Sequence, residues 1–215
     1  MKKKIHFIIN SRSEKTLTEL SKQLDLDIFW QETHVCFLWK SLYKGHALEL
    51  AQKAIQDNTS LVIACGGDGT INEIARFLVD TTIPLGIIPL GSGNGIARHF
   101  KIPLNIKGAL AVIRKMHSTV IDAGLANQYF FLSNMGVSFD SEFINIYQNK
   151  QTRGFGSYSK ALFLAIKQYE VQTFVLHHVG VKRKVSPFLL MISNANQFGY
   201  DFSLTPKALA SDGQF

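Results

Sequence analysis

Hydrophobic and polar positions follow two alternating periods in the first half of the chain. Short apolar runs of strand length, such as residues 5–10 and 61–65, are followed by longer stretches with helical spacing, such as residues 46–56. The same periods predict further strands at 35–39 and 85–89, and further helices at 17–24, 71–79, near Ile96 and at 106–115. Strands that alternate with helices predict an α/β fold with a doubly wound, mostly parallel sheet.

The pattern changes near residue 120, where strands begin to follow one another directly. Strands are predicted at 119–123, 128–134, 173–181 and 187–193, with one helix at 158–169. Consecutive strands of this kind are typical of an antiparallel sheet. The sequence therefore predicts an α/β domain over residues 1–120 and an antiparallel, β-rich domain over residues 121–215.

Two glycine-rich turns each follow an apolar strand and lead into a helix. Residues 66–70 read Gly-Gly-Asp-Gly-Thr, and residues 91–95 read Gly-Ser-Gly-Asn-Gly. Glycine lets backbone N–H groups come close to phosphate oxygens, and a helix N-terminus adds a positive dipole end. Since ligands of open α/β sheets bind at the carboxyl edge of the strands, we expect both turns to converge there on the polyphosphate of a nucleotide.

The polar residues of these turns have two interpretations each. Thr70 and Glu73 have the spacing of a capping box, so they either cap the helix or contact the nucleotide. Asp68 would repel phosphates unless a cation or a donor hydroxyl lies between them, which favours metal or substrate contact. Ser92 is expected to cap the next helix, while Asn94 either donates to a phosphate or satisfies its own turn.

These motifs resemble the catalytic domain of the diacylglycerol kinase and sphingosine kinase superfamily. The resemblance rests on residues 66–73 and on residues 84–94, Pro-Leu-Gly-Ile-Ile-Pro-Leu-Gly-Ser-Gly-Asn, followed by Ala97-Arg98. NAD kinases share a similar Gly-Gly-Asp-Gly turn, but the second run is more similar to the lipid kinases. Weaker matches at 45–47, 121–124, 131–136 and 206–213 extend the resemblance over nearly the whole chain.

The resemblance implies transfer of the γ-phosphoryl group of ATP to a lipid hydroxyl, with Mg²⁺ and a carboxylate that accepts the proton. Asp212, in a matching Asp-Gly pair, is the expected base, and Asp68 the organiser of nucleotide and Mg²⁺; the sphingosine kinase branch gives Asp68 the base role. Asp122 matches a family aspartate linked to the metal. Nucleotide contacts are expected from Asn10, Ser41, Gly67, Asp68, Gly69, Thr70, Asn72, Glu73, Ser92, Gly93 and Asn94.

The chain departs from the family pattern in three places. Asn10 is followed by Ser11-Arg12 where the family has a proline and a nearby glycine, and Gly95 stands where many relatives carry aspartate. The sequence ends at Phe215, just after the Asp-Gly pair, whereas relatives continue with further strands. The resemblance implies that residues 1–120 bind the nucleotide and that residues 121–215 help to bind the lipid, and this second domain is expected to be incomplete.

Composition narrows the choice of partners. The net charge of +7 favours anionic partners, and no run approaches the ~20 apolar residues of a membrane span. The two cysteines are too few for a disulfide framework and are expected to be reduced. Together with the resemblance, this predicts a cytoplasmic protein that binds ATP, meets its lipid at a membrane surface through peripheral contact and has no nucleic-acid partner. Homo-oligomerisation stays open.

Two other functions compete with the lipid kinase. One is phosphorylation of NAD, because the first glycine turn is shared with NAD kinases. The other is a nucleotide-binding regulator without catalysis, which the altered first motif and the early end of the chain allow. The basic run Lys182-Arg183-Lys184 is interpreted as a solvated turn, with contact to acidic lipid headgroups as the alternative.

Overall fold

The computed structural model describes residues 2–10, 14–139, 143, 146, 155–178, 180–198 and 202–215. The chain forms two compact units. The first consists of Met1–Ser133 and Asn194–Gln214, and the second of Asn134–Ser193 together with Phe215. The first unit is therefore discontinuous in sequence. The predicted domain division at residue 120 stays a prediction.

A four-stranded parallel sheet forms the centre of the first unit. Its strands are β1 (Lys3–Ile9), β2 (His34–Lys40), β3 (Leu61–Gly66) and β4 (Leu85–Pro89), in the order β2-β1-β3-β4. Strands β1 and β3 are central and mostly buried on both faces, which explains why they read as continuous apolar runs.

Helices cover both faces of this sheet. Alternate residues of β3 belong to different cores: Val62 and Ala64 pack on one face, whereas Ile63 and Cys65 pack on the other. The first face is covered by α3 (His46–Gln56) and α4 (Asp68–Leu78). The opposite face is covered by α1 (Glu14–Leu26), α2 (Ile28–Thr33) and α6 (Ile106–Arg114), and the short α5 (Gly95–His99) follows β4. The predicted doubly wound sheet is confirmed.

The sequence missed one helix of this layer. Helix α2 follows α1 after a single residue, Asp27, whose carboxylate accepts the Phe29 N–H at 3.0 Å and so caps the new helix. The guanidinium of Arg114, at the end of α6, contacts the same carboxylate at 3.2 Å. Trp30 of α2 is buried in the core. Six residues are too few for a helical period to stand out in the sequence.

A small antiparallel pair completes the described strands of the first unit. It consists of β5 (Gly124–Ala126) and β6 (Tyr129–Phe131). The strand predicted at 119–123 is wrong, because the Asp122 N–H donates to the Ala210 carbonyl, in the 194–214 segment, rather than to a strand. The ring of Phe131 packs on Gly124, where a Cβ would lie 2.2 Å from the ring.

The described part of the second unit contains short antiparallel pairs and a helix of 14 residues. Strand β7 (Asn134–Gly136) pairs with β10 (Met191–Ser193), and β8 (Phe174–His178) pairs with β9 (Val181–Val185). Helix α7 (Phe155–Gln168) packs Ala161 and Ala165 against Phe139 and Phe143. The antiparallel character predicted for this part is confirmed.

The basic run 182–184 lies in a strand, so its assignment to a turn is wrong. Gly180, at φ +77°, is in the turn between β8 and β9 instead. In β9 the side chains of Lys182 and Lys184 lie on one face of the ribbon and that of Arg183 on the other. A charged run is compatible with a strand whose faces are both exposed. The prediction of a turn was wrong because the run of charges was taken as the sign of a turn.

The sheet contains buried titratable side chains, and His6 is one of them. His6 of β1 has no solvent exposure, stacks on Phe37 at 4.7 Å between ring centroids, and has Nε2 3.1 Å from an Asp57 carboxylate oxygen. Burial lowers the pKa of His6 below its ordinary value of 6.5, and the hydrogen bond to Asp57 opposes this only in part. The neutral ring therefore donates from Nε2 to Asp57.

We expect the free energy of unfolding to fall as the pH drops below about 6.5. The unfolded chain then binds a proton at His6 that the folded chain resists, so this stability is present above the unfolded pKa and is lost on acidification. Urea unfolding curves measured between pH 7 and pH 5 give the free energy of unfolding at each pH. Replacing His6 with Gln should make this free energy depend less on pH. His34 is present in both proteins, and burial lowers its pKa as well. A smaller dependence of the free energy of unfolding on pH, with the same sign, therefore remains in the variant. Equal slopes for the two proteins would contradict the expectation.

Candidate functional site

The strand order locates a crevice at the carboxyl edge of the sheet. The connection from β1 leads to β2 on one side, and the connection from β3 leads to β4 on the other, so the direction of winding reverses between β1 and β3. Ligands of open α/β sheets bind outside the carboxyl ends of the strands at such a switch point. The candidate site is therefore built from the residues that follow these strands.

Asn10 and Thr70 meet at this switch point. The Asn10 N–H continues the ladder by donating to the Cys65 carbonyl at 2.9 Å, and its side-chain amide donates to Thr70 Oγ1 at 2.8 Å. Thr70 is buried, whereas Asn10 is exposed at the edge. Ser41 follows β2, and its N–H donates to the Ile9 carbonyl at 2.8 Å. The structure thus places Asn10, Ser41 and Thr70 along one edge of the sheet.

Helix α4 begins earlier than predicted. Gly67 is its N-cap residue, without a side-chain cap, and Asp68 is its first helical residue. Thr70 lies within the first turn rather than at the cap, so the capping box with Glu73 is wrong: the Thr70 hydroxyl is the acceptor for Asn10. Burial raises the pKa of the Glu73 carboxyl, and the nearby Lys44 charge opposes that shift.

The two glycine turns touch each other through their backbones. A Cβ at Gly91 would lie 2.6 Å from the Cα of Gly67, which is closer than real Cβ contacts come. The Leu90 N–H also donates to the Gly66 carbonyl at 2.9 Å. By contrast, a Cβ at Gly69 would meet nothing within 4 Å. Gly67 and Gly91 are therefore needed for packing, while Gly69 faces open space.

Asp68 joins the two turns electrostatically. One carboxylate oxygen accepts the Gly95 N–H and the other accepts the Ile96 N–H, both at 2.9 Å. These are the first N–H groups of α5, so the cap of that helix comes from the other turn. The assignment of Ser92 as this cap is wrong, because Asn94 is the N-cap residue and Ser92 is exposed.

Asn94 satisfies its own turn. Its side-chain oxygen accepts the Gly91 N–H at 2.9 Å, and its amide donates to the Gly91 carbonyl at 2.8 Å. The residue is buried and has a left-handed backbone, with φ +51°, which asparagine tolerates better than most residues. Next to it, the Gly93 carbonyl accepts from Arg98 Nε at 3.1 Å. Of the two interpretations of Asn94, the structure displays the turn.

Asn72 attaches β6 to α4. Its amide donates to the Phe130 carbonyl and its oxygen accepts the Leu132 N–H, both at 3.1 Å. The Asn72 side chain thus donates to one backbone carbonyl and accepts from one backbone N–H, as the backbone of a neighbouring strand would do. The Asn72 side chain, which was predicted to bind nucleotide, therefore holds the small antiparallel pair against α4.

Asp122 holds the loop that carries Asp212. One carboxylate oxygen of Asp122 accepts the Gly213 N–H at 2.7 Å, and its own N–H donates to the Ala210 carbonyl at 2.7 Å. Asp212 itself is exposed, and its carboxylate accepts the Gln214 N–H at 3.1 Å in a tight turn. The predicted base thus lies in an exposed turn that Asp122 holds in place.

Asn194 was missed by sequence reasoning. Its side chain is fully buried, and its amide donates to the Asp122 carbonyl at 2.7 Å and to the Leu132 carbonyl at 2.8 Å. Its N–H also donates to Ser133 at 2.7 Å. Two residues on, Asn196 bonds to His99 of α5 through its N–H at 3.1 Å. These partners are far apart in sequence, so no local motif announces them.

The described residues contain no cluster of three or more His, Cys, Asp or Glu side chains that could hold a metal ion. Mg²⁺ in nucleotide sites needs fewer, because one or two carboxylates bind it together with phosphates and water. An ionised carboxylate has about four acceptor positions, so Asp68 keeps acceptor positions beyond its two N–H partners. Asp122 also uses one of its oxygens for Gly213. The donor chemistry of these two carboxylates fits Mg²⁺.

Comparisons with known proteins agree on one family. A model of the family described as "Diacylglycerol kinase catalytic domain" matches residues 4–126. A protein of Pectobacterium atrosepticum named "Probable lipid kinase YegS-like" is 30% identical over 187 residues, which cover 84% of this chain and 62% of that protein. A "Diacylglycerol kinase" of Staphylococcus aureus is 40% identical over 91 residues, which cover 41% of this chain and 29% of that protein. The chain thus spans less than two thirds of these curated relatives.

A solved structure has the same fold. The crystal structure of a diacylglycerol kinase from Bacillus anthracis superposes with a TM-score of 0.74, covering 99% of this chain and 71% of that chain at 22% identity. Among the residues that the structure describes, no helix is long and apolar enough to cross a membrane.

Replacing Gly91 with Ala should destabilise the protein, because the new Cβ would clash with the Gly67 backbone. We expect the free energy of unfolding to fall by about 1–3 kcal/mol, as for other overpacked sites. Gly69→Ala is the matched control, since its Cβ enters open space, and should stay within about 0.5 kcal/mol of the parent. Urea unfolding of both variants checks this. Equal stabilities would show that the turns do not depend on their close contact.

Proposed function

This chain belongs to the diacylglycerol kinase catalytic domain family, and on that premise we propose that it transfers the γ-phosphoryl group of ATP to the hydroxyl of a lipid. The acceptor is an alcohol similar to diacylglycerol or to a sphingoid base. The observation that carries this proposal is the match over residues 4–126, which includes both glycine turns at the switch point of the sheet.

The nucleotide binds at the carboxyl edge of β1 and β3 in this proposal. The first turn of α4 offers free N–H groups and a positive dipole end beside Gly69, where the backbone faces open space. Asn10, Ser41, Gly67, Thr70 and Asn72 line the same region, with Glu73 one turn along α4. Ser92, Gly93 and Asn94 supply the second turn, in which Asn94 shapes the backbone.

Three carboxylates divide the remaining chemistry. Asp212 accepts the proton of the lipid hydroxyl as the hydroxyl oxygen attacks the γ-phosphorus and ADP leaves. Its exposed position leaves it accessible to an acceptor. Asp68 and Asp122 are the residues that would hold Mg²⁺, which when bound neutralises charge on the phosphates. Asp68 also fixes the second turn against the first.

The acceptor is a membrane lipid, so the protein works at a membrane surface through peripheral contact. The net charge of +7 supports attraction to an anionic leaflet. We propose a cytoplasmic location, because ATP is available there and both cysteines of this chain are free thiols.

Asp212→Asn should abolish phosphate transfer while leaving ATP binding intact. Loss of a general base costs about 10²–10⁴-fold in rate. The assay is transfer of radiolabel from γ-labelled Mg-ATP to mixed micelles containing diacylglycerol, monoacylglycerol or sphinganine. Asp80→Asn is the matched control, since Asp80 is also exposed and has a left-handed backbone that asparagine tolerates.

A parallel tube contains NAD in place of lipid. Radiolabel found in NAD and not in lipid would show that this chain phosphorylates NAD, and that the glycine turn shared by the two kinase families suggested the wrong one. ATP binding without any labelled product would favour the regulator without catalysis. Lipid product that Asp212→Asn leaves unchanged would move the role of base to another residue, with Asp68 the first alternative.

Substitutions at Asp122 separate the metal role from the positioning role. Asn keeps an oxygen that accepts the Gly213 N–H, whereas Ala removes it. We expect Asp122→Asn to raise the half-saturating Mg²⁺ concentration several-fold, with activity at saturating Mg²⁺ within about threefold of the parent. Asp122→Ala should lose about tenfold or more at every Mg²⁺ concentration, because the Asp212 loop is released. An unchanged Mg²⁺ requirement in the Asn variant would contradict the metal role.

A further inference from the structure

Asn194 is a fully buried polar residue at the start of the segment 194–214, which completes the first unit. Its backbone N–H donates to the Ser133 carbonyl at 2.7 Å. Burying an amide side chain costs free energy unless its polar groups are hydrogen-bonded. The side chain is therefore held in this position by specific contacts.

The side-chain amide of Asn194 joins two distant segments of the first unit. It donates to the Leu132 carbonyl at 2.8 Å and to the Asp122 carbonyl at 2.7 Å. Its oxygen has no hydrogen-bond partner among the described residues, so the side chain acts there through its two N–H groups. A carboxylate in the same place would face two carbonyl oxygens with no proton to donate. The position therefore requires asparagine rather than aspartate, although the two side chains have the same shape.

Leu132 connects this amide to the helix that follows the first glycine turn. The Leu132 carbonyl accepts from Asn194, and the Leu132 N–H donates to the Asn72 side-chain oxygen at 3.1 Å. Asn72 belongs to α4, whose first residue is Asp68. The backbone of Leu132 is thus held between two asparagine side chains, and one of them belongs to the helix of the candidate nucleotide site.

Asp122 connects the same amide to the turn that carries the proposed base. Its carbonyl accepts from Asn194, and its N–H donates to the Ala210 carbonyl at 2.7 Å. The carboxylate of Asp122 accepts the N–H of Gly213, the residue after Asp212, at 2.7 Å. Because the backbone of Asp122 is held on both sides, the direction in which its carboxylate reaches the turn is held as well.

We propose that Asn194 is a positioning residue for phosphate transfer, because its amide sets the separation between α4 and the turn that carries Asp212. This inference rests on the proposed function, in which the nucleotide binds beside α4 and Asp212 accepts the proton. Asn194 is buried and contacts neither reactant. It acts on the rate because a misplacement of about 1 Å in a reacting group can cost about 100-fold.

Asn194→Asp tests the proposal with an isosteric change. We expect kcat for transfer to lipid micelles to fall about tenfold or more, with the KM for ATP within about twofold of the parent, because the glycine turns keep their own contacts. Rates are measured at a temperature at which unfolding curves show the chain to be folded. Asn194→Ala removes the same donors without adding a charge, so it gives the same test if the first variant does not fold. An unchanged kcat would overturn the proposal.

Thr59→Val is the matched control, because it also removes a buried donor to a backbone carbonyl with little change of shape. The Thr59 hydroxyl donates to the Leu61 carbonyl at 2.9 Å, at the amino end of β3 and away from the candidate site. We expect this variant to lose stability and to keep kcat within about twofold of the parent. An equal loss of kcat in this control would overturn the proposal, since lost stability alone would then explain the rate.

A double variant tests whether Asn194 acts through Asp122. Asp122→Ala already releases the turn at Gly213, so adding Asn194→Asp to it should lower kcat by no more than about twofold further. Two changes with independent effects would instead multiply their losses. Multiplied losses would overturn the positioning role, because Asn194 would then act by another route.

Hydrogen exchange separates this inference from the proposed function, because it does not depend on phosphate transfer. The Gly213 N–H should exchange with solvent about tenfold faster in Asn194→Asp and Asn194→Ala than in the parent, and at the parental rate in Thr59→Val. Faster exchange in a chain that transfers no phosphate would refute the kinase and keep the link from Asn194 to this turn. Parental exchange at Gly213 in an Asn194 variant of an active kinase would do the reverse.

Discussion

The contact between two bare α-carbons is the constraint on which the carboxyl edge of the sheet depends. Gly67 follows β3 and Gly91 follows β4, and no side chain fits at Gly91 where the two turns meet. The Asp68 carboxylate then spans from the first turn to the opening N–H groups of α5. Strand ends, helix starts and loop shapes on this edge all follow from keeping the two turns together.

The same arrangement satisfies the polar side chains of this edge by hydrogen bonds within the chain. Asn94 uses both polar atoms of its side chain on Gly91, and Asn72 uses both of its own on the backbone around β6. Groups that are already hydrogen-bonded need no reorganisation when a charged molecule binds, which is the condition for effective electrostatic stabilisation. Residues that look like direct ligand contacts in the sequence therefore contribute by shaping the backbone that makes those contacts.

The sheet could be predicted from the sequence because its signal is local. Strands such as β3 are buried on both faces and read as unbroken apolar runs, and the helices between them keep their own period. The partners of Asp68 lie 27 and 28 residues away, and the partners of Asn194 lie 62 and 72 residues away. No window on the sequence contains both ends of such bonds. The sequence did not predict the short α2, and it predicted a strand just before the actual position of β5. Both errors have a related cause, because tertiary contacts decide these elements.

The first unit is interrupted in sequence by the second, and this has a consequence for folding order. The four-stranded sheet is built entirely from residues before 90, whereas Asn194, Gly213 and their hydrogen bonds belong to the last part of the chain. Closing a long loop costs entropy that only late contacts repay. During synthesis the glycine turns can form while the ribosome is still making the inserted unit, whereas the turn that carries Asp212 can form only after that unit has been made. A nascent or clipped chain would thus have both glycine turns without Asp212, the proposed base.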